Sequence, residues 1–203
     1  MPRTTRAPGS ASRDLALVAT FAGVVAALGL VPAFVPPGFT VPITAQSLGV
    51  MLAGAVLGAR RGFLSVLLLL VLVAVGLPLL AGGRGGLGVF ATPSVGFLLG
   101  WPVAAYVVGW VSERAGSSYT LVWGLVANVL GGIVVLYALG IAGVALVAGI
   151  SVQAATVSTW IFVPGDLVKV VLCALVARGV HASYPGLLGR PARERVSTGS
   201  TAV

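Results

Sequence analysis

The sequence predicts an all-α membrane protein with six transmembrane helices, whose structured outward-facing loops enclose a ligand pocket. Three observations lead there. Of 203 residues, 58% are hydrophobic and only 8% charged, too few charges to cover the surface of a soluble domain of this length. The apolar residues also fall in long runs, and about 20 such residues cross a bilayer core of about 30 Å. Finally, the basic residues gather at the termini and in alternate loops between the runs, as cytoplasmic segments of membrane proteins do.

The runs place helices at about 14–35, 44–59, 62–80, 93–112, 119–140 and 162–180. The first follows Arg3, Arg6 and Arg13; it is long for a signal-peptide core and lacks a clear cleavage site, so it reads as a span. The second is short for a span, which suggests tilt or partial insertion. The loops centred on 60 and 115 and the C-terminal tail share a side with the N-terminus. That side collects Arg60, Arg61, Arg114, Arg178, Arg190, Arg193 and Arg195, whereas the opposite side holds Arg84. Both termini are therefore expected to face the cytoplasm. The organisation expected is a cytoplasmic tail over 1–13, a six-helix membrane domain over 14–182, and a basic, disordered cytoplasmic tail over 183–203.

The outward segments are unusual. Residues 36–44 are rich in proline and glycine, 81–92 are rich in glycine, and 140–164 are apolar and uncharged, with Ser151 able to cap a short helix. Irregular backbone at membrane depth is tolerated where it lines a cavity, so these segments are expected to build a pocket.

The sharpest motif is F-V-P-G-D-L-V-K (162–169). Pro164 suits a first helical turn, which puts Asp166 near the positive end of the helix dipole. Lys169, the one lysine in the chain, follows at i+3 on the same face. Ionisable groups inside a span are costly and usually face a polar cavity. The pair reads either as an internal ion pair or as a ligand site; an empty site can be both by closing on itself. Arg84 lies between Gly82, Gly83, Gly85 and Gly86. As the outward arginine it suits an anionic ligand such as a carboxylate, against the alternative of a solvated loop residue. Gln46 and Thr44 sit at the mouth of the second helix, where the amide can serve a ligand or a helix end. Asn128 and Tyr137 are lone polar residues in the fifth helix, equally explained by helix–helix hydrogen bonds. Ala19, Ala22, Gly23 and Ala26 form small-residue pairs in the first helix, suited to internal packing or to docking of another membrane protein. Cys173, the single cysteine, reads as a packing residue.

No phosphate-binding loop, metal-ligating cluster or nucleophile–base pair is present in the sequence, and the single histidine, His181, sits at the cytoplasmic end of the last helix. An enzyme is not expected, nor is a nucleic-acid partner despite the formal charge of +8.

Three stretches together, V-P-I-T-A-Q-S-L-G-V-M-L-A-G-A-V-L-G-A-R-R-G (41–62), G-L-P-L-L-A-G-G-R-G-G-L-G-V (76–89) and F-V-P-G-D-L-V-K (162–169), resemble the BioY family, the biotin-specific S components of energy-coupling-factor (ECF) transporters. The resemblance covers about residues 14 to 180. It implies six helices, a pocket open to the outside, biotin as ligand with no cofactor, and work alongside a transmembrane coupling subunit and two ATPase subunits in a lipid membrane. It also implies that the S component topples in the membrane to release its vitamin, that helix one docks through the face of Ala22 and Ala26, and that Gln46, Arg84, Asp166 and Lys169 form the pocket. Where members often carry T-G-G-Y, this chain has Ser94, Val95, Gly96 and Phe97, so Phe97 lacks the hydroxyl. Biotin's chemistry fits these residues: Asp166 can accept from the ureido nitrogens, Gln46 can pair with the polar edge, and either Arg84 or Lys169 can hold the carboxylate. Phe90, Phe97 or Trp160 would wall the apolar part. An S component for another vitamin and an autonomous proton-coupled transporter are the alternative readings.

Overall fold

The computed structural model describes residues 8–35, 37–38, 41–115, 119–184 and 187–188, and they are all-helical apart from connecting turns and two isolated bridges. Arg3, Arg6, Arg190, Arg193 and Arg195, with most of both expected tails, lie outside these residues. The helices are α1 (Pro8–Leu28), α2 (Gln46–Leu57), α3 (Ala59–Ala74), α4 (Val95–Arg114), α5 (Leu121–Val129), α6 (Leu136–Ala148), α7 (Val152–Thr159) and α8 (Val163–Ser183). A π-helical turn at Leu130–Val135 joins α5 to α6, and a 3-10 turn at Trp160–Phe162 joins α7 to α8. Six rods result. Four are long and apolar enough to cross a membrane: Ala11–Leu28, Val95–Arg114, Leu121–Ala148 and Val152–Ser183. With 12 and 16 residues, α2 and α3 are shorter than a perpendicular crossing of about 20 residues needs.

Several expected boundaries move. The first helix stops at Leu28 rather than 35, because Gly29 and Pro32 end it although the apolar run continues. The chain then doubles back through paired backbone bonds between Phe34 and Ile43, Phe34 N to Ile43 O at 3.0 Å and the return at 2.8 Å. The third helix ends at Ala74, not 80. The segment 140–164, expected as an irregular outward stretch, is instead a tight helical hairpin. Gly149 closes α6 in the left-handed conformation, and the Ser151 hydroxyl accepts from the Ala154 amide at 3.2 Å to start α7, as that serine's position suggests. Helical backbone therefore reaches back to Val152, and Asp166 lies near a tightened turn inside a 32-residue rod rather than at a free helix end.

α4 is the central rod, packed on α2, α3 and α6, while α1 leans on α2 and α3, and α8 on α2 and α5. Two apolar clusters fill the interior. Val25, Val50, Val66, Leu69, Trp101 and Ala104 belong to one; Met51, Val108, Ala127, Val170 and Cys173 belong to the other, where Cys173 is fully buried.

At the arginine-rich end, charges tie helices together. Arg61 pairs with Asp14 at 2.9 Å and donates to the Leu187 carbonyl at 2.8 Å. Glu113 accepts from the Ala59 amide at 2.8 Å and so caps α3 from the neighbouring rod. Arg114 stacks on Trp110. His181 bonds the Ala55 carbonyl at 2.9 Å and stacks on Tyr119, whose phenol burial pushes up to about 12.

Candidate ligand-binding site

At the opposite end, a hollow of about 60 Å³ opens between α2, α4, α6, α8 and two loops. Its walls include Thr44, Gln46, Arg84, Phe97, Asp166 and Lys169, six residues that the sequence alone had singled out and that come from distant parts of the chain. Their chemistry differs from residue to residue.

Asp166 and Lys169 face inward because they share a helix face with Val170, Cys173 and Ala177, all buried. The ammonium of Lys169 donates to Asp166 Oδ1 at 2.8 Å, to Ser47 Oγ at 2.9 Å and to the Thr44 carbonyl at 2.8 Å. An ammonium has three protons, so every donor is occupied within the protein. The other oxygen of Asp166, Oδ2, accepts from the Tyr137 hydroxyl at 2.7 Å. Two bonds fix this carboxylate while its remaining lone pairs stay available. The ring of Tyr137 is held in turn by an edge contact with Phe97. The cluster ties α8 to the start of α2 and to α6.

Gln46 is 1% exposed, and its amide is turned to backbone. Nε2 donates to the Val25 carbonyl at 3.2 Å and to the Leu79 carbonyl at 3.0 Å, while Oε1 accepts from the Ala81 amide at 2.9 Å. Both donors are in use, so the residue latches α1 and the 79–81 strand of loop to α2. Gly29 permits this, since a Cβ there would meet the Leu79 carbonyl and the Gln46 amide below 3.0 Å.

Arg84 is held more lightly. Leu80 and Arg84 exchange backbone bonds of 3.0 and 3.2 Å around a turn in which Gly82 and Gly83 both take positive φ, a conformation that favours glycine. Among the described residues the guanidinium makes one hydrogen bond, Nε to the Ala81 carbonyl at 3.2 Å. Among the described residues the ion pairs are Arg61–Asp14 and Lys169–Asp166, so no carboxylate there neutralises Arg84.

The aromatic wall differs from expectation. Phe97 lines the hollow and meets Phe162 edge-on at 5.9 Å between ring centroids, and Trp101 stands one turn beyond on α4. Phe90 packs beside the core outside this lining. Trp160 is 65% exposed, because its position two residues before Phe162 turns it to the outside of the rod. Sequence reasoning passed over Trp101, Phe162 and Ser47. The one signal for them was adjacency: Ser47 follows Gln46, and Phe162 opens the F-V-P-G-D motif.

The small-residue stripe of α1 also divides. Ala22 is buried with Val18 and Val25, and Ala26 is half-buried against the same core, so these two serve the chain's own packing. Ala19 and Gly23 are exposed, and the helical period adds Ala16 and Ala27 to their face. The Asn128 amide donates to the Gly124 carbonyl of its own helix at 2.8 Å.

Comparison with known proteins agrees with this architecture. The family model described as the BioY family matches residues 2–186. The chain is 52% identical over 185 residues to the biotin transporter BioY of Rhizobium etli, covering 88% of this chain and 98% of that protein. It is also 52% identical over 185 residues to the biotin transporter BioY of Rhodobacter capsulatus, covering 87% and 97%. A crystal structure at 2.1 Å of the S-component for biotin from an ECF-type ABC transporter matches with a TM-score of 0.81 and 28% identity, over 88% of this chain and 95% of that one. With a family model spanning nearly all of the described helices and relatives matched over almost their full length, the chain belongs to the BioY family.

Proposed function

We propose that the chain is the substrate-binding subunit of a biotin importer and captures biotin for uptake driven by an ECF module. The single observation that carries this reading is the geometry of the hollow: a carboxylate held rigidly by Tyr137 and Lys169 on one wall, and on the other an arginine with no partner acid among the described residues. Biotin is complementary to both. Its ureido N–H groups would donate to the remaining lone pairs of Asp166, its fused rings would lie against Phe97, Phe162 and Trp101, and its carboxylate would meet Arg84. Because all three ammonium protons of Lys169 are occupied, Arg84 is the cation we assign to the carboxylate. Gln46 supports the site by holding its loop.

In this reading all six rods lie in the bacterial cell membrane, with residues 14–182 as one substrate-binding domain. The hollow faces outward and both termini face the cytoplasm, since Arg13, Arg60, Arg61, Arg114 and Arg178 lie at the end away from the hollow. The partners are a transmembrane coupling subunit and two ATPase subunits, which carry out the hydrolysis. The docking face on α1 is Ala16, Ala19, Gly23 and Ala27, whose small side chains allow another helix to approach closely.

The test is a titration of the purified full chain in detergent with biotin and with thiamine, followed by tryptophan fluorescence, since Trp101 lines the hollow. A saturable response to biotin and none to thiamine is expected. Indifference to biotin, or an equal response to both, overturns the assignment.

A further inference from the structure

Arg84 and Pro42 each line two cavities at once. On one side is the hollow of about 60 Å³. On the other is an open cavity of about 600 Å³, walled by Gly29, Leu30, Pro32, Ala33, Ala81 and Gly83. The two side chains thus form a partition. Protein pockets for small molecules usually measure about 300–1,000 Å³, so the hollow falls well below that range and the outer cavity lies within it. A fused bicycle carrying a five-carbon acid does not fit the hollow alone, and the groups that suit its rings and ureide stand there. The end of the acid arm therefore reaches the partition, and the free room beyond its carboxyl lies on the far side.

We infer that the arm passes between Pro42 and Arg84, so that the carboxyl carbon lies at the boundary and the outer cavity receives whatever is joined to it. The site then takes amide-linked conjugates of the vitamin as well as the free acid. This rests on the biotin reading above and extends it to a substrate class. The outer wall suits such an extension. Leu30, Val31, Pro32, Ala33 and Val35 offer an apolar path for a methylene chain, and the Gly82–Gly83 turn places no side chain in the way. At the boundary an amide carbonyl still accepts from Arg84 but loses the charge of the carboxylate. That exchange costs about tenfold in affinity.

The experiment compares three ligands on the purified full chain: biotin, biotinamide, and biotin joined through its carboxyl to the side-chain amine of lysine. Both amides are expected to bind about tenfold more weakly than biotin and within about threefold of each other. A lysine conjugate about a hundredfold weaker than biotinamide overturns the inference, because the extension would then have no room although the charge loss is matched. A chain that binds none of the three overturns the biotin reading itself, which separates the two failures. Ala33→Trp supplies the second arm by filling the outer cavity. It is expected to weaken the lysine conjugate about tenfold or more while changing biotin by less than about threefold. Equal losses for both ligands, or no loss for either, overturn the inference.

Discussion

The two walls of the hollow are built on opposite principles. One consists of helices α2, α6 and α8, where Asp166, Lys169, Tyr137, Ser47 and the Thr44 carbonyl satisfy one another at 2.7–2.9 Å. The other is a glycine-rich loop whose arginine makes a single side-chain bond among the described residues. A closed network in a low-dielectric interior fixes its members tightly but leaves no spare cation. A lightly held arginine keeps its fork of donors open at the cost of a fixed position. The difference assigns recognition of a neutral polar ring to the helical wall and capture of an acid to the loop wall.

Breaking the helical wall carries the largest effect. Asp166→Ala leaves the Lys169 ammonium half-buried without its counter-charge, which destabilises a protein by about 3–5 kcal/mol, and it removes the acceptor for the ligand. Thermal unfolding of the purified protein is expected to shift sharply downward, with biotin binding lost. Adding Lys169→Met removes the orphaned charge and returns most of the stability without returning binding. A double variant no more stable than the single one would mean that the network does not act as a closed charge pair.

Gln46→Leu comes next, because it leaves the Val25 and Leu79 carbonyls and the Ala81 amide without their partner. Three lost buried bonds cost about 2–4 kcal/mol after partial relaxation. The measurement is hydrogen exchange at the Ala81 amide, which should accelerate together with the loss of stability. Unchanged protection would show that the loop wall holds its shape without the latch.

How much of this was legible beforehand depends on how local each signal is. Asp166 and Lys169 stand out because charges in a span are rare and i,i+3 spacing fixes a shared face. The bond from Tyr137 to Asp166 needs the heights of two rods relative to one another, which no local pattern carries. For Gln46 two uses of one amide were equally open, and the path of residues 79–81 decides between them. Hydropathy followed apolar character through Gly29–Val35, where the helix in fact stops, and residues 140–164 were expected to be irregular although helix runs on both sides of Gly149–Ser151, because apolarity does not report backbone conformation. The α1 stripe left packing and docking both open for a related reason. Small residues at i,i+4 spacing occupy two faces there, and the burial of Val18 and Val25 tells which face points inward.

Arg84→Ala tests the loop wall with a smaller effect. Losing a charge-assisted pair costs about 1.5–3 kcal/mol, or about 10- to 150-fold in biotin affinity. Stability should stay within about 0.5 kcal/mol, since among the described residues one bond to the Ala81 carbonyl is what the side chain contributes. Arg84→Lys is expected to recover only part of the loss, because an ammonium cannot present a planar fork. Full recovery would mean that charge alone is read at this wall.

The smallest effect tests whether the walls act separately. Tyr137→Phe removes the hydroxyl that holds Asp166 Oδ2 but keeps the ring that meets Phe97. Asp166 retains its bond to Lys169, so the carboxylate survives with one anchor instead of two, and biotin is expected to bind about fivefold to tenfold more weakly, roughly 1 kcal/mol. Combined with Arg84→Ala, the losses should add to within about 0.5 kcal/mol, as sites with no shared hydrogen-bond partner in the protein do. A coupling above about 1 kcal/mol would mean that the carboxylate's orientation sets where the acid arm arrives. Arg84 would then answer to the helical wall through the ligand, and the division of labour between a rigid wall and an adjustable one would fail.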